Sequence, residues 1–132
     1  MRITADTNVL VRAIVADEPQ QARLAQEVLL AADMIAITAP TLCEFVWVLS
    51  RGYGLPFVDI AAAIETLVAS ANVEVNRPVV EAGLALLREG GDFADGVIAH
   101  EGATLGGVTF ASFDKDAVKR LKALGRDALL LG

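Results

Sequence analysis

The chain has a single cysteine, Cys43, and a single histidine, His100. One cysteine cannot form an internal disulfide, so a packed core must hold the fold, and a reducing compartment is the expected setting. With no second His or Cys at ligand spacing, neither residue builds a zinc site. Cys43 sits in an apolar segment and reads as core; His100 reads as a helix-surface or core residue. Ser112 has no histidine near it in sequence, which leaves a serine nucleophile without its base. The pairs Gly90-Gly91 and Gly106-Gly107 lack the GxxxxGKS/T context of a phosphate loop. The longest apolar runs, such as that from Phe45 to Leu49, are far too short to span a bilayer. The opening Met1-Arg-Ile has no signal-peptide h-region. The expectation is therefore a cytoplasmic protein with no membrane contact.

Positive charge is also scarce. Eleven Lys and Arg stand against seventeen Asp and Glu, for a net charge of −6 and a pI near 4.6. That balance argues against coating nucleic acid by bulk charge. It leaves room for a nucleic-acid enzyme, because carboxylates that bind a divalent metal carry negative charge by necessity and the ion reverses the local sign.

What is present is apolar and periodic. The 132 residues are 55% hydrophobic, enough for one domain with a substantial core and an excess that a partner could cover. Ile3–Ala5, Ile35–Ile37, Val73–Val75, Val108–Ala111 and Leu129–Leu131 read as strands. Helical stripes run between them: Asn8–Val15, Pro19–Ala32, Pro40–Arg51, a segment restarted at Pro56 and facing inward through Ile60, Ile64, Leu67 and Val68, Arg77–Arg88, a helix opened by Asp92, and a last one opened by Asp114. Thr7 or Asn8 is expected to cap the first helix. The alternation, with strands too apolar to face water, predicts an α/β fold with a mostly parallel sheet covered by helices on both faces. No repeat, low-complexity tract or linker interrupts residues 1–132, which read as one domain.

Acids gather at one kind of place. Asp6 and Asp114 follow strands, and the carboxyl ends of parallel strands form the edge where ligands collect. Asp95 falls in the first turn of a helix, and Glu44 in the second turn of another; both helices start where the chain crosses that edge. Crowded carboxylates repel and take up protons, whereas Mg²⁺ takes oxygen ligands readily and can activate water against a phosphodiester. Each acid also has a plainer reading. Asp6 can be a turn residue, Asp92 and Asp95 helix-dipole acids, and Asp114 an N-cap. Glu44 resists this most, as the only charge between Pro40 and Ser50 in a helix apolar on most sides. Lys115, Lys119, Arg120, Lys122 and Arg126 fit a solvated face, with contact to a nucleic-acid backbone as the rarer alternative. A phosphatase would need a second Asp where Asn8 stands, and Val73–Asn76 lacks a receiver's phospho-acceptor Asp.

In this order the acids resemble a PIN-domain ribonuclease, specifically the VapC-type toxin of a type II toxin–antitoxin pair. The resemblance runs from Asp6-Thr-Asn-Val-Leu-Val-Arg12, through Glu44 in Thr41–Val46 and Asp95 in Asp92–Ala99, to Asp114 in Ser112–Asp116. It implies a three-layer α/β/α domain and endonucleolytic cleavage of RNA, often tRNA or rRNA, with Mg²⁺ or Mn²⁺. It also implies a homodimer and a neutralising antitoxin. By match, Asp6, Asp95 and Asp114 are metal ligands, Glu44 is a ligand or water-orienting acid, and Asn8 and Ser112 support the site. Apart from the match, Asp92 reads as a helix cap that is expected to orient the site as well. Ser112 stands where Thr is commoner. Gly96 follows Asp95 where Ala is usual, a change expected to loosen that turn. The apolar excess places the dimer face around Phe45–Tyr53 or Phe57–Ile64. The competing class is a non-catalytic RNA- or protein-binding module of the same fold, which would bind no metal at the acids.

Overall fold

The computed structural model describes residues 1–132, which pack as two compact units, Met1–Asn76 and Arg77–Gly132. In the first, the strands β1 (Arg2–Thr4), β2 (Met34–Ala36) and β3 (Val73–Glu74) alternate with the helices α1 (Thr7–Val15), α2 (Pro19–Ala31), α3 (Ala39–Trp47) and α4 (Phe57–Ala69). The three strands form a parallel sheet in sequence order, with Ile3 opposite Ile35 and Ile35 opposite Val73. Pro19 begins α2 in the first-turn position where a missing N–H is harmless. Thr38 caps α3, its hydroxyl accepting from the Thr41 amide at 3.4 Å. The core of this unit includes Leu10, Ile35, Leu42, Phe45, Leu49 and Ile64, all at most 2% exposed.

The expected helix from Pro40 to Arg51 does not run regularly to its end. After Trp47 the chain widens into a π-helical turn, Val48–Gly52, in which the Tyr53 amide reaches back to the Val48 carbonyl at 3.2 Å. Inserting a residue into a helix rotates the side chains beyond it. Trp47, the last residue before that turn, is 62% exposed, while Leu49 within it is fully buried. Leu24 of α2 is 62% exposed as well.

The second unit holds the helices α5 (Arg77–Arg88), α6 (Phe93–Thr104) and α7 (Lys115–Ala123), and the strands β4 (Thr109–Ser112) and β5 (Asp127–Leu130). The two strands pair in parallel, Phe110 opposite Ala128, and α7 makes the crossover. A cluster of Leu86, Ala99, Val118, Leu121 and Ala128, flanked by Phe110 and Leu130, forms its core. Leu124 is 43% exposed, because α7 ends at Ala123 and Gly125 turns the chain at φ 81°.

All three strand pairings are parallel, as the alternation of elements predicts, but they fall in two separate sheets rather than one. The strands are also less covered than their composition predicts. Of all strand residues only Ile35, Val73 and Ala128 are buried. Their short length, two to four residues each, leaves most of the burial to the helices.

Two glycines in the second unit control how closely its helices approach. A Cβ on Gly96 in α6 would collide with the Ala82 carbonyl of α5 and stand 3.0 Å from the Gly83 Cα. A Cβ on Gly83 would stand 2.5 Å from the Phe93 ring, which is fully buried. Helix-interior glycine carries a conformational cost of about 1 kcal/mol relative to Ala; here the missing methyls let two backbones touch. Gly96, expected to loosen its turn, also leaves the room in which α6 packs against the Ala82 carbonyl of α5.

Candidate active site

The two units each supply acids named by the sequence. In the first, Asp6 stands two residues past the end of β1 and caps α1, its Oδ1 accepting from the Thr7 amide at 2.8 Å. The capping residue is thus Asp6, one position before the expected Thr7 or Asn8. Thr7 instead becomes the first residue of the helix and is buried. No protein hydrogen bond reaches the other oxygen of Asp6, which is exposed and available to a ligand. Asn8 is exposed too and borders a groove with Val9, Arg12, Gln21, Leu24 and Val28. Glu44 is an exposed residue of α3. It therefore needs no partner to offset burial, contrary to expectation; α3 buries Leu42, Phe45 and Val46 and turns Glu44 to solvent.

In the second unit two aspartates, Asp92 and Asp114, act on a third, Asp95. Asp92 caps α6 through the Ala94 amide at 3.0 Å, as its sequence predicts. Asp95 lies in the first turn of that helix, half-buried and anchored beside Gly96. Asp114 caps α7, one oxygen accepting from the Asp116 amide at 3.0 Å and the Ala117 amide at 3.1 Å. The Asp114 amide in turn donates to the Ser112 Oγ at 3.0 Å. Ser112 closes β4 rather than following it, and its hydroxyl sets the turn that presents Asp114.

The electrostatic result is concentrated on Asp95. Burial, then the Asp92 carboxylate, then the Asp114 carboxylate push its pKa up to about 6. Desolvation and like charge both disfavour the anion, so the fold holds this carboxylate where its charge is least welcome. That donor set is all oxygen and short of positive charge, which is the chemistry of a hard divalent cation site. No three acidic, His or Cys side chains are already closed around a common point, so the side chains would have to draw in around an ion.

Sequence reasoning missed a network in the first unit. The Arg12 guanidinium donates to Gln21 at 2.7 Å, to Asp17 at 3.4 Å and to the Tyr53 hydroxyl at 3.3 Å. The Tyr53 hydroxyl donates to Asp17 at 3.1 Å. This ties α1, the start of α2 and the end of the π-helical turn. The one signal was Arg12 closing the first acidic motif; its partners lie up to 41 residues away. His100, assigned no partner from sequence, accepts at Nδ1 from the Arg126 guanidinium at 3.1 Å.

Comparison with known proteins adds one finding. No curated protein and no solved structure matches the chain significantly. The profile of the PIN domain matches residues 3–124, a span that crosses both units and contains Asp6, Glu44, Asp92, Asp95 and Asp114. PIN domains are α/β/α nuclease folds that generally use divalent metal ions, in keeping with the parallel strands, the flanking helices and the crowded carboxylates found here. With nearly its whole length matched, the chain belongs to the PIN domain family.

Proposed function

We propose that the protein is a metal-dependent endoribonuclease, and that it serves as the toxin of a type II toxin–antitoxin pair in the cytoplasm. The observation that carries the reading is Asp95. A carboxylate held at a pKa of about 6 by burial and by two neighbouring aspartates stores an electrostatic penalty that a divalent cation removes. Perturbed acids of this kind concentrate at functional sites.

In this reading Asp6, Glu44, Asp95 and Asp114 hold Mg²⁺, with Mn²⁺ able to replace it. An ion held there would supply a Lewis acid able to polarise a phosphodiester and to lower the pKa of a water. The chain's own residues do the rest. Asp114 is aimed by the Ser112 hydroxyl and two helix amides. Asp92 fixes the start of α6 and therefore the position of Asp95. Asp6 keeps one oxygen on the Thr7 amide and offers the other. Glu44, exposed and unburdened by capping, is the acid best suited to orient a water.

RNA, with tRNA or rRNA as the substrate class, and a separate antitoxin chain are part of the proposal. So is a homodimer, supported by the exposed Trp47, Tyr53, Phe57 and Val58. Purified protein with Mg²⁺ or Mn²⁺ should cleave a structured RNA, and Asp6→Asn should abolish the cleavage. Equal activity in wild type and Asp6→Asn would overturn the mechanism. The rival, a non-catalytic binding module of the same fold, draws on the acids not being closed around a point. Calorimetric titration separates the two: heat from Mn²⁺ that is lost in Asp95→Asn supports the nuclease, and none in wild type supports the module.

A further inference from the structure

All three lysines of the chain, Lys115, Lys119 and Lys122, lie on α7. Spacings of four and three residues put them on one face of the helix. Each is exposed, and none makes an ion pair or hydrogen bond, in a chain where acids outnumber bases seventeen to eleven. The arginines behave differently: Arg12, Arg23 and Arg88 pair with Asp17, Glu27 and Glu81. Arg120 is drawn off to the Glu89 carbonyl and Arg126 to His100. Asp116, the one acid from 115 to 126, occupies the neighbouring row of the helix with Arg120.

Helix stability does not account for the stripe. Cations favour the C-terminal turn, where Lys122 lies, but the macrodipole opposes one at the N-terminal turn, where Lys115 is the first residue. Nor does pairing, since no carboxylate engages any of the three. What the stripe offers is unneutralised positive charge that begins one residue after Asp114. From Lys115 to Lys122 it runs roughly 10 Å at about 1.5 Å per residue. A stacked strand advances about 3.4 Å per phosphate, so the stripe spans about three phosphates.

We infer that Lys115, Lys119 and Lys122 form an electrostatic track for the phosphodiester backbone of single-stranded RNA, leading to Asp114. This rests on the nuclease reading of the acids and adds the surface that lets so acidic a protein hold a polyanion. Lysine suits such a track because a mobile point charge follows a backbone without reading bases.

The test measures binding of the full chain to a labelled single-stranded RNA of mixed sequence, about twenty nucleotides long, by fluorescence anisotropy in EDTA across a salt series. Lys115→Gln/Lys119→Gln/Lys122→Gln should bind about tenfold or more weakly at low salt. Its plot of log affinity against log salt should be shallower by about 2, since each neutralised phosphate contributes roughly 0.7 on a single strand. Arg2→Gln/Arg23→Gln/Arg51→Gln removes the same charge elsewhere and should change the slope far less. The exposed lysines leave the melting temperature unchanged, so loss of fold does not confuse the result. Equal binding and slope in wild type and the lysine variant overturn the track. Equal weakening by the arginine variant does so too, reducing it to bulk charge. Lysine-dependent binding of a poly-glutamate peptide in preference to RNA also overturns it, assigning the face to an acidic protein partner. Failure of the nuclease reading looks different: no cleavage with Mg²⁺ or Mn²⁺, yet lysine-dependent RNA binding intact. Conversely, cleavage whose KM is unmoved by the lysine changes keeps the nuclease and removes the track.

Discussion

Asp6 and Asp114 occupy the same kind of place in the two units. Each follows a strand, and each caps the next helix with one oxygen. Their surroundings differ. Asp6 accepts one amide and stands exposed in its unit, where the other named acid, Glu44, is also exposed. Asp114 accepts two amides, has its own amide held by Ser112, and lies close enough to Asp95 to raise that residue's pKa. The comparison separates two ways of offering a carboxylate: leaving it free in solvent, or forcing it against other acids by helix packing. Only the second puts folding and metal affinity in opposition, because the charges that unsettle the fold are the ones a cation would satisfy.

The largest effect should come from the acids themselves. Asp95→Asn is expected to reduce metal-dependent RNA cleavage by a thousandfold or more, about 4 kcal/mol of transition-state stabilisation. A gel-based cleavage assay reads this directly, and activity within tenfold of wild type would remove Asp95 from the mechanism. Next in size is the packing that positions it. Gly96→Ala drives a methyl into the α5 backbone and should destabilise the protein by about 3 kcal/mol, the upper part of the range for overpacking; denaturant titration measures it.

A third prediction breaks or sharpens the contrast between the units. In EDTA at pH 8, Asp95→Asn should raise the melting temperature, while Glu44→Gln, at an exposed position, should change stability by less than about 0.5 kcal/mol. The sign follows from linkage. The folded pKa of Asp95 is raised to about 6 from 3.8, so the folded state binds the proton more tightly than the unfolded state. Stability from this group is full below 3.8, is lost as pH rises towards 6, and is absent above. The advantage of Asp95→Asn should therefore shrink on going from pH 8 to pH 5. Saturating Mn²⁺ at pH 8 should raise the melting temperature of wild type and not of Asp95→Asn. A stability gain in Asp95→Asn that is the same at both pH values would show that charge is not its cause. The smallest effect belongs to Ser112→Ala, which removes the hydrogen bond to the Asp114 amide and should cost about 1 kcal/mol, with some loss of cleavage as Asp114 loses its orientation.

Much of the architecture was legible because it rests on local rules. Pro19 at a helix start, Asp92 and Asp114 as caps, and the run of short apolar segments between helical stripes each follow from the few residues around them. Boundaries slipped by a residue or two at all five strands, since strand ends depend on which partner is available. The π-helical turn after Trp47 was not legible. Nothing in Val48–Gly52 forbids an ordinary helix, and the long-range bond between Tyr53 and Arg12 lies outside any local window. Glu44 was misjudged for a related reason: an apolar helix does not say which of its faces is covered.

The order Asp6, Glu44, Asp95, Asp114 was determined by the sequence alone, and with it membership of a nuclease family, because a motif is a statement about residue types at intervals. The gathering of all three lysines on one helical stripe is likewise fixed by spacing. Tertiary structure alone decided which carboxylate is strained. Asp95 is perturbed because Gly96 lets α6 settle on the α5 backbone and because Asp92 and Asp114 lie near, and burial and distance are properties of packed elements rather than of intervals. It also added a role for Gly96, which by propensity weakens a helix turn and in the fold leaves room for the Ala82 carbonyl of the neighbouring helix.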